Sequence, residues 1–252
     1  MPDRLAPIRI ARRHTVGRLR TIDVHTQELS YGPHDRHVLS MWTPLTHRPS
    51  AGWPTLIMLH GGGWIEGSRH DFACLAPLIA RRGIRCAAID YRLAPADPWP
   101  AQQDDARRAI SVLQRAQNAD PRRTALWGHS AGGHIALMAA AQDPSLAAIV
   151  ALGSPCDLEA LPAPPAGVFP KGQLRSASPL HALKPDGSPI LLVHGARDRI
   201  CAVTQARTLA DAIPERCRLL EVRGGNHGLH WPPLACRNAK QAAVRWVSET
   251  LR

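Results

Sequence analysis

The stretch Thr124-Ala125-Leu126-Trp127-Gly128-His129-Ser130-Ala131-Gly132-Gly133 joins an apolar run to an alanine-rich segment through a serine between two glycines. The run 124–127 predicts a buried strand, and the alanine-rich segment predicts a helix that begins near Ser130. Gly128 and Gly132 permit a tight turn between them, which lifts the serine hydroxyl above the edge of a sheet. The pattern therefore predicts a nucleophile at Ser130.

Other apolar runs, rich in β-forming residues, lie on both sides of this turn and indicate the fold class. Two short runs joined by the polar turn 32–35 predict an N-terminal hairpin, and later runs alternate with helical patterns at 102–117 and 234–251. The predicted strands cover 26–31, 37–42, 55–59, 86–90, 124–127, 147–152, 190–194 and 218–222. This alternation predicts an α/β protein with a mostly parallel, doubly wound sheet.

A second motif, His60-Gly61-Gly62-Gly63-Trp64, directly follows the predicted strand 55–59. Three consecutive glycines cost backbone entropy, which an ordinary loop has little reason to bear. A loop whose N–H groups must point at a developing oxyanion has such a reason. We expect Gly62 and Gly63 to supply two donors of an oxyanion hole and Ala131 a third. We expect His60 to support this loop by hydrogen bonding.

A serine nucleophile needs a base and an acid that orients the base, and both are expected on loops after strands. Asp198 follows the strand 190–194, and His227 follows the strand 218–222. The order of the three residues along the chain is Ser130, Asp198, His227. Hydrolases whose serine nucleophile lies on a strand-to-helix turn have the same order. Asp157 also follows a strand and is the alternative acid.

The segment 157–178 breaks the alternation of strands and helices. It contains Pro162, Pro164, Pro165 and Pro170, which exclude a regular helix. Because it comes directly after a strand, we interpret it as a short lid, with a disordered surface loop as the alternative.

Length and charge limit the classes of protein to which the chain can belong. With 252 residues, 44% of them hydrophobic, one domain over residues 21–252 is expected. A net charge of +11 raises nucleic acid as a partner, but the arginines scatter without interleaved aromatic residues. The local excess, six arginines against one aspartate in residues 1–20, predicts a basic arm on the surface. No apolar run reaches the roughly 18 residues of a membrane span, so no span is expected.

The six cysteines, Cys74, Cys86, Cys156, Cys201, Cys217 and Cys236, show no CxxC pair or metal-ligand spacing. Most lie in apolar segments, where a free thiol packs as a small hydrophobic group. We therefore expect no metal site, reduced cysteines and a cytoplasmic location.

Together with Asp90-Tyr91-Arg92-Leu93-Ala94-Pro95 and His194-Gly195-Ala196-Arg197-Asp198, the two motifs above resemble the α/β-hydrolase fold esterases and lipases related to hormone-sensitive lipase. Within that group, the chain most resembles a small esterase branch near feruloyl- and acetyl-esterase-like proteins and kynurenine formamidase. This resemblance lies in its compact length and in Gly67-Ser68, which follow the glycine motif. The resemblance covers roughly residues 39–251. It implies the α/β-hydrolase fold, with Ser130 as nucleophile, His227 as base, Asp198 as acid, and Gly62, Gly63 and Ala131 as oxyanion hole.

The expected function is that of a serine hydrolase that cleaves carboxylic esters of short to medium acyl chains through an acyl-enzyme. No organic cofactor is expected, and the expected partner is a small-molecule ester or amide. An arylformamidase-type amide hydrolase is the first alternative, because it shares the acyl-enzyme. A non-catalytic ligand-binding protein on the same fold is the second, although the presence of Ser130, Asp198 and His227 argues against it.

Overall fold

The computed structural model describes residues 24–162, 164 and 166–252. Strands alternate with helices along the chain, as the hydrophobic periodicity predicts. The strands are β1 Val24–Ser30, β2 Val38–Pro44, β3 Trp53–Leu59, β4 Arg85–Ile89, β5 Ala119–His129, β6 Ala148–Leu152, β7 Ile190–Gly195 and β8 Cys217–Val222. The helices are α1 Leu75–Ala80, α2 Ala101–Gln114, α3 Ala131–Gln142, α4 Pro179–Ala182, α5 Thr204–Ala212 and α6 Pro233–Thr250, and a 3₁₀ turn covers Arg69–Phe72.

The eight strands of the described chain form one sheet in the order β1-β2-β4-β3-β5-β6-β7-β8. β1 pairs antiparallel with β2, and β2 pairs antiparallel with β4. Every pair from β4 to β8 is parallel. The predicted N-terminal hairpin and mostly parallel sheet are confirmed.

Helices cover both faces of the sheet because its central strands are apolar on both sides. In β3, Ile57 and Leu59 belong to one apolar cluster, whereas Leu56 and Met58 belong to the other. This division follows from the alternation of side chains along a strand. Helices α2, α3 and α5 pack into the first cluster, and α1 and α6 pack into the second. The sheet is therefore doubly wound, as its continuous apolar runs predict.

The described residues of the segment 157–178 form turns that pack onto the rest of the protein. Leu158 and Val168 are fully buried, and the backbone N–H of Trp99 donates to the carbonyl of Val168 at 2.8 Å. The ring of Phe169 lies 5.0 Å from that of Trp64 and 5.7 Å from that of Trp99, centroid to centroid. These contacts hold the described part of the segment against the loop that precedes α2 and against Trp64.

The basic arm predicted for residues 1–20 lies outside the described residues. In the part of the chain that the structure describes, no helix has the length and apolar character to cross a membrane. All six cysteines are free thiols, and all but Cys74 are buried, as their apolar surroundings in the sequence predict.

Candidate active site

Ser130 occupies the turn between the end of β5 and the start of α3. Its φ of 52° and ψ of −121° place it in the left-handed half of the backbone map, which a residue with a side chain rarely adopts. The neighbouring glycines make the turn possible, because a Cβ at Gly128 would lie 2.2 Å from the carbonyl oxygen of Gly132. A Cβ at Gly132 would lie 2.1 Å from the carbonyl oxygen of Leu59. The sequence therefore holds the hydroxyl in one half-buried position at the sheet edge.

The structure brings Ser130, His227 and Asp198 together in a continuous chain of hydrogen bonds. Oγ of Ser130 lies 3.0 Å from Nε2 of His227, and Nδ1 of His227 lies 2.7 Å from Oδ2 of Asp198. Because a carboxylate can only accept, Nδ1 carries the proton and Nε2 is left to accept from the serine hydroxyl. The arrangement suits general-base activation of Ser130.

The carboxylate of Asp198 is buried and well supplied with donors. Its Oδ1 accepts from the backbone N–H groups of Ile200 and Cys201, both at 2.9 Å. Burial alone would raise the pKa of Asp198, but hydrogen bonds from His194, His227 and the Cys201 backbone hold it well below its usual value. Asp198 is therefore ionised at neutral pH.

The alternative acid, Asp157, does not reach His227. Its Oδ1 accepts from the backbone N–H of Glu159 at 3.0 Å, and its carboxylate forms a group with Glu159 and His181. These three side chains are the one cluster of possible metal ligands among the described residues. The guanidinium of Arg175 lies 3.4 Å from the Glu159 carboxylate and 3.3 Å from the His181 ring. An arginine thus supplies the positive charge next to this exposed group.

The glycine loop after β3 turns sharply beside Ser130. Gly62 and Gly63 have φ values of 108° and 56°, and Trp64 has a φ of 65°. The carbonyl of Gly62 accepts from the N–H groups of Ile65 and Glu66, both at 3.0 Å. A Cβ at Gly62 would lie 2.2 Å from the carbonyl oxygen of Glu66, so only glycine fits there.

The N–H groups of Gly62, Gly63 and Ala131 donate to no acceptor among the described residues. Ala131 is the first residue of α3, where an N–H has no partner within the helix and the helix dipole favours negative charge. Gly62, Gly63, Ser130 and His227 line one cleft. The geometry fits the predicted set of oxyanion donors.

His60 supports the glycine loop through a hydrogen bond, as predicted. Its Nδ1 donates to the carbonyl of Gly61 at 2.7 Å, and its ring stacks on that of Tyr91 at 4.1 Å between centroids. The Tyr91 hydroxyl donates to the carbonyl of His60 at 2.8 Å. Burial lowers the pKa of His60, so its ring is neutral.

Two further histidines form hydrogen bonds with residues of the site, and the sequence alone did not predict these particular contacts. Nε2 of His129 donates to the backbone carbonyl of His227 at 3.1 Å. His194 is fully buried, and its Nε2 lies 2.8 Å from the carbonyl oxygen of Cys201 and 3.3 Å from Oδ2 of Asp198. The signal for His194 was its place at the end of β7, four residues before the acid.

The cleft above Ser130 has a volume of about 590 Å³. Its apolar lining includes Trp64, Ile65, Leu161 and Ile200. The Cys201 thiol also lines it, but burial raises the pKa of that thiol to about 12. Because only a thiolate is a strong nucleophile, Cys201 does not compete with Ser130 at neutral pH.

Comparison with known proteins assigns the fold. Residues 56–167 match a family described as having an alpha/beta hydrolase fold. The chain superimposes with a TM-score of 0.78 on a truncated carbohydrate esterase from gut microbiota, at 18% identity and over 91% of this chain and 98% of that one. With esterase 2 of Thermogutta terrifontis phosphorylated by paraoxon, the TM-score is 0.76 at 23% identity, over 92% of this chain and 97% of that one.

The chain has the α/β-hydrolase fold. Among curated proteins, the chain is 30% identical to the esterase LipC of Mycobacterium tuberculosis, over 90% of its own length and 64% of that protein's. It is 27% identical to the esterase LipQ of the same organism, over 79% of its own length and 55% of that protein's. The chain thus spans less than two thirds of the length of these relatives.

The fold explains why the site residues meet. In this chain, the glycine loop follows β3, Ser130 follows β5, Asp198 follows β7 and His227 follows β8. These strands are parallel, so all four segments leave the sheet at its carboxyl edge.

Proposed function

We propose that this chain is a serine hydrolase that cleaves carboxylic esters of short to medium acyl chains through an acyl-enzyme. The observation that carries the proposal is the unbroken path from Oγ of Ser130 through the His227 ring to Asp198, with steps of 3.0 and 2.7 Å. Such a path lets a serine hydroxyl lose its proton as it attacks a carbonyl.

In the first half of the reaction, Ser130 Oγ attacks the ester carbonyl while Nε2 of His227 takes the hydroxyl proton. The imidazolium that forms is stabilised by the ionised Asp198 and then gives its proton to the leaving alcohol. The bond between the carbonyl carbon and the alcohol oxygen breaks, which leaves the acyl group on Ser130. In the second half, His227 takes a proton from a water molecule that attacks the acyl carbon. The bond between that carbon and Oγ of Ser130 breaks, His227 returns the proton to Oγ, and the carboxylic acid leaves.

The carbonyl oxygen becomes negatively charged in both tetrahedral intermediates. The N–H groups of Gly62, Gly63 and Ala131 are the proposed donors to this oxyanion, because they line or adjoin the cleft and are free of other acceptors among the described residues. Removing one such donor costs about 10²-fold or more in kcat in hydrolases of this kind.

The proposed substrate is a small-molecule ester whose acyl part fits the cleft. Pockets of roughly 300–1,000 Å³ accept small ligands, and the apolar side chains around this cleft of about 590 Å³ suit a short alkyl or aryl group. We assign the catalytic domain to residues 21–252 and the lid to 157–178. Free, mostly buried cysteines support a reducing, cytoplasmic location.

The relatives support ester hydrolysis. LipC and LipQ are named esterases, and the superimposed Thermogutta terrifontis protein is an esterase phosphorylated by paraoxon. Reaction with an organophosphate is the behaviour expected of an activated nucleophile.

The test is covalent labelling with a fluorophosphonate, followed by intact-mass and peptide analysis. We expect one adduct, on Ser130, with loss of p-nitrophenyl butyrate hydrolysis in proportion to labelling. Ser130→Ala should lose both the adduct and the activity, whereas Ser145→Ala, at an exposed serine elsewhere, should retain both. An adduct of the same yield in Ser130→Ala would refute the assignment.

A further inference from the structure

A second concave surface lies on the sheet face that α1 and α6 cover. It is a groove of about 530 Å³ between these two helices, which we call the α1/α6 groove. Its wall is apolar and is formed by Leu75, Leu78, Ile79, Leu229 and Val244. Leu78 is 56% exposed, which leaves its side chain available to a ligand. The volume falls in the range of small-molecule pockets.

Three cations border this apolar wall: Arg82 just after α1, and Arg237 and Lys240 on α6. Within the described residues, no carboxylate lies within 4.0 Å of any of the three. Other cations of the protein have acidic partners; Arg207, for example, pairs with Glu221 at 2.7 Å.

Lys240 is the most informative of the three because it is partly buried. Its Nζ lies 3.4 Å from the carbonyl oxygen of Gly228, a long contact for a hydrogen bond. Burial lowers the pKa of Lys240, which means that the charge is poorly solvated where it stands. A partly buried ammonium without a counter-ion is costly, and an anion bound next to it would remove that cost.

We propose that the α1/α6 groove binds a small amphiphilic anion, namely a free medium-chain carboxylate. The carboxylate lies between Arg237 and Lys240, and the alkyl tail lies on the apolar wall of the groove. Both halves of such a ligand find a complement in the groove, whereas a neutral alkane would leave the cations unpaired and a free inorganic anion would leave the wall exposed.

An adjoining cavity of about 510 Å³ indicates which end of the groove the anionic head occupies. It shares Leu75, His230 and Lys240 with the groove and continues inward to Trp127. Asp71 lines this inner cavity, whereas Arg82 and Arg237 line only the groove. The anionic head therefore lies at the outer end, away from Asp71.

The α1/α6 groove has its own lining, although the inner cavity that adjoins it reaches His129, which also lines the cleft above Ser130. Among the described residues, none lines both the groove and that cleft. Binding in the groove is therefore measurable whether or not the protein hydrolyses esters.

The test is isothermal titration of the full chain with octanoate, octan-1-ol and octyltrimethylammonium. We expect saturable binding of octanoate and at least about tenfold weaker binding of the other two, since a charge-assisted hydrogen bond is lost. Arg237→Gln and Lys240→Gln should each weaken octanoate binding by about tenfold for the same reason. Arg245→Gln, an exposed arginine of α6 that does not line the groove, should leave binding unchanged.

Photolabelling locates the bound molecule. A medium-chain acid with a diazirine on its tail should label residues 75–82 and 229–244. Labels confined to the cleft, or octanoate binding that is unchanged in Arg237→Gln, would overturn the proposal. So would binding to phosphatidylglycerol vesicles without octanoate binding, or self-association that Arg237→Gln abolishes, since the occupant would then be a membrane or a second copy. Because Arg237 is exposed, its variant should fold, and thermal unfolding verifies this.

Discussion

Nε2 of His194 lies 3.3 Å from Oδ2 of Asp198, four residues further along the chain, and this is the oxygen that His227 contacts at 2.7 Å. The same Nε2 also lies 2.8 Å from the carbonyl oxygen of Cys201. His194 thus ties the end of β7 to the loop that carries the acid. We interpret it as a positioning residue, because it touches Asp198 and not the reacting atoms.

Removal of the His194 donor should lower kcat while leaving KM nearly unchanged. We expect His194→Leu to lose about tenfold in kcat, the size of one charge-assisted hydrogen bond. His194→Gln, whose side-chain amide can replace Nε2, should recover much of this loss. Ester hydrolysis kinetics measure both variants, and full activity in His194→Leu would exclude a positioning role.

The two candidate acids should differ sharply in their effect on the rate. Asp198→Asn should lower kcat by up to about 10⁴-fold, because the amide stabilises the wrong tautomer of His227. Asp157→Asn should change kcat by less than about threefold, since Asp157 contacts Glu159 and not the base. The matched pair is compared by kcat on one p-nitrophenyl ester. A larger loss in Asp157→Asn would move the acid to the loop after β6.

The oxyanion loop should not tolerate a side chain at Gly62. A Cβ there would lie 2.2 Å from the carbonyl oxygen of Glu66, so Gly62→Ala must shift the loop and its N–H groups. We expect a fall in kcat of at least about 10²-fold. Gly83→Ala is the control, because Gly83 also has a positive φ of 86° but a Cβ there has no atom within 4 Å. Equal activity of the two variants would exclude this role for the loop.

The strands could be predicted, and the three proposed site residues could be selected, because their signals are local. An apolar run between turn residues marks each parallel strand, and Ser130, Asp198 and His227 each follow such a run. The choice between Asp157 and Asp198 could not be settled in this way, since both follow strands. It depends on the turn in which the N–H of Asp198 donates to the carbonyl of Gly195 at 3.1 Å, and this turn directs the carboxylate towards His227.

Other features could not be predicted from the sequence, because they depend on contacts between residues that are far apart along the chain. β5 begins at Ala119, five residues before the predicted start, since Ala119 pairs with Trp53 across a register shift. The polar residues that follow Ala119 hide this extension from hydrophobic periodicity; one of them, Arg123, forms an ion pair with Asp120 at 2.6 Å. The contact of His129 with the carbonyl of His227 joins the last residue of β5 to a loop 98 residues further along the chain.

The stability of the protein should fall as the pH is lowered below neutrality. His134 is fully buried, accepts from Trp64 Nε1 at 3.2 Å and donates to the carbonyl of Ala177 at 2.7 Å. Burial lowers the pKa of His134 to about 4. The unfolded chain therefore takes up a proton below about pH 6.5, whereas the folded protein stays neutral at this ring down to about pH 4.

This difference should remove about 3 kcal/mol of unfolding free energy as the pH falls from 6.5 to 4. His134→Gln should be less stable than the wild type at pH 7.5, because packing is lost, but its stability should depend less on pH in this interval. His25→Gln, at an exposed histidine, should keep the pH dependence of the wild type. Urea unfolding at a series of pH values measures all three, and parallel curves for His134→Gln and the wild type would contradict the prediction.

Acyl-chain preference should follow from the way the segment 157–178 is anchored. Val168 is fully buried and Phe169 packs against Trp64, so the segment would have to break these contacts before it could expose a broad apolar surface. Each methylene buried in the cleft of about 590 Å³ adds about 0.8 kcal/mol only until the cleft is filled. We expect kcat/KM to peak between roughly C2 and C6 acyl chains and then to fall, with no rate increase on emulsified triolein.

A series of p-nitrophenyl esters below their critical micelle concentrations measures the profile. Phe169→Ala, which loosens the anchor, should shift the peak to longer chains. A maximum at dodecanoyl, or a jump in rate at the oil interface, would instead indicate a lid that opens.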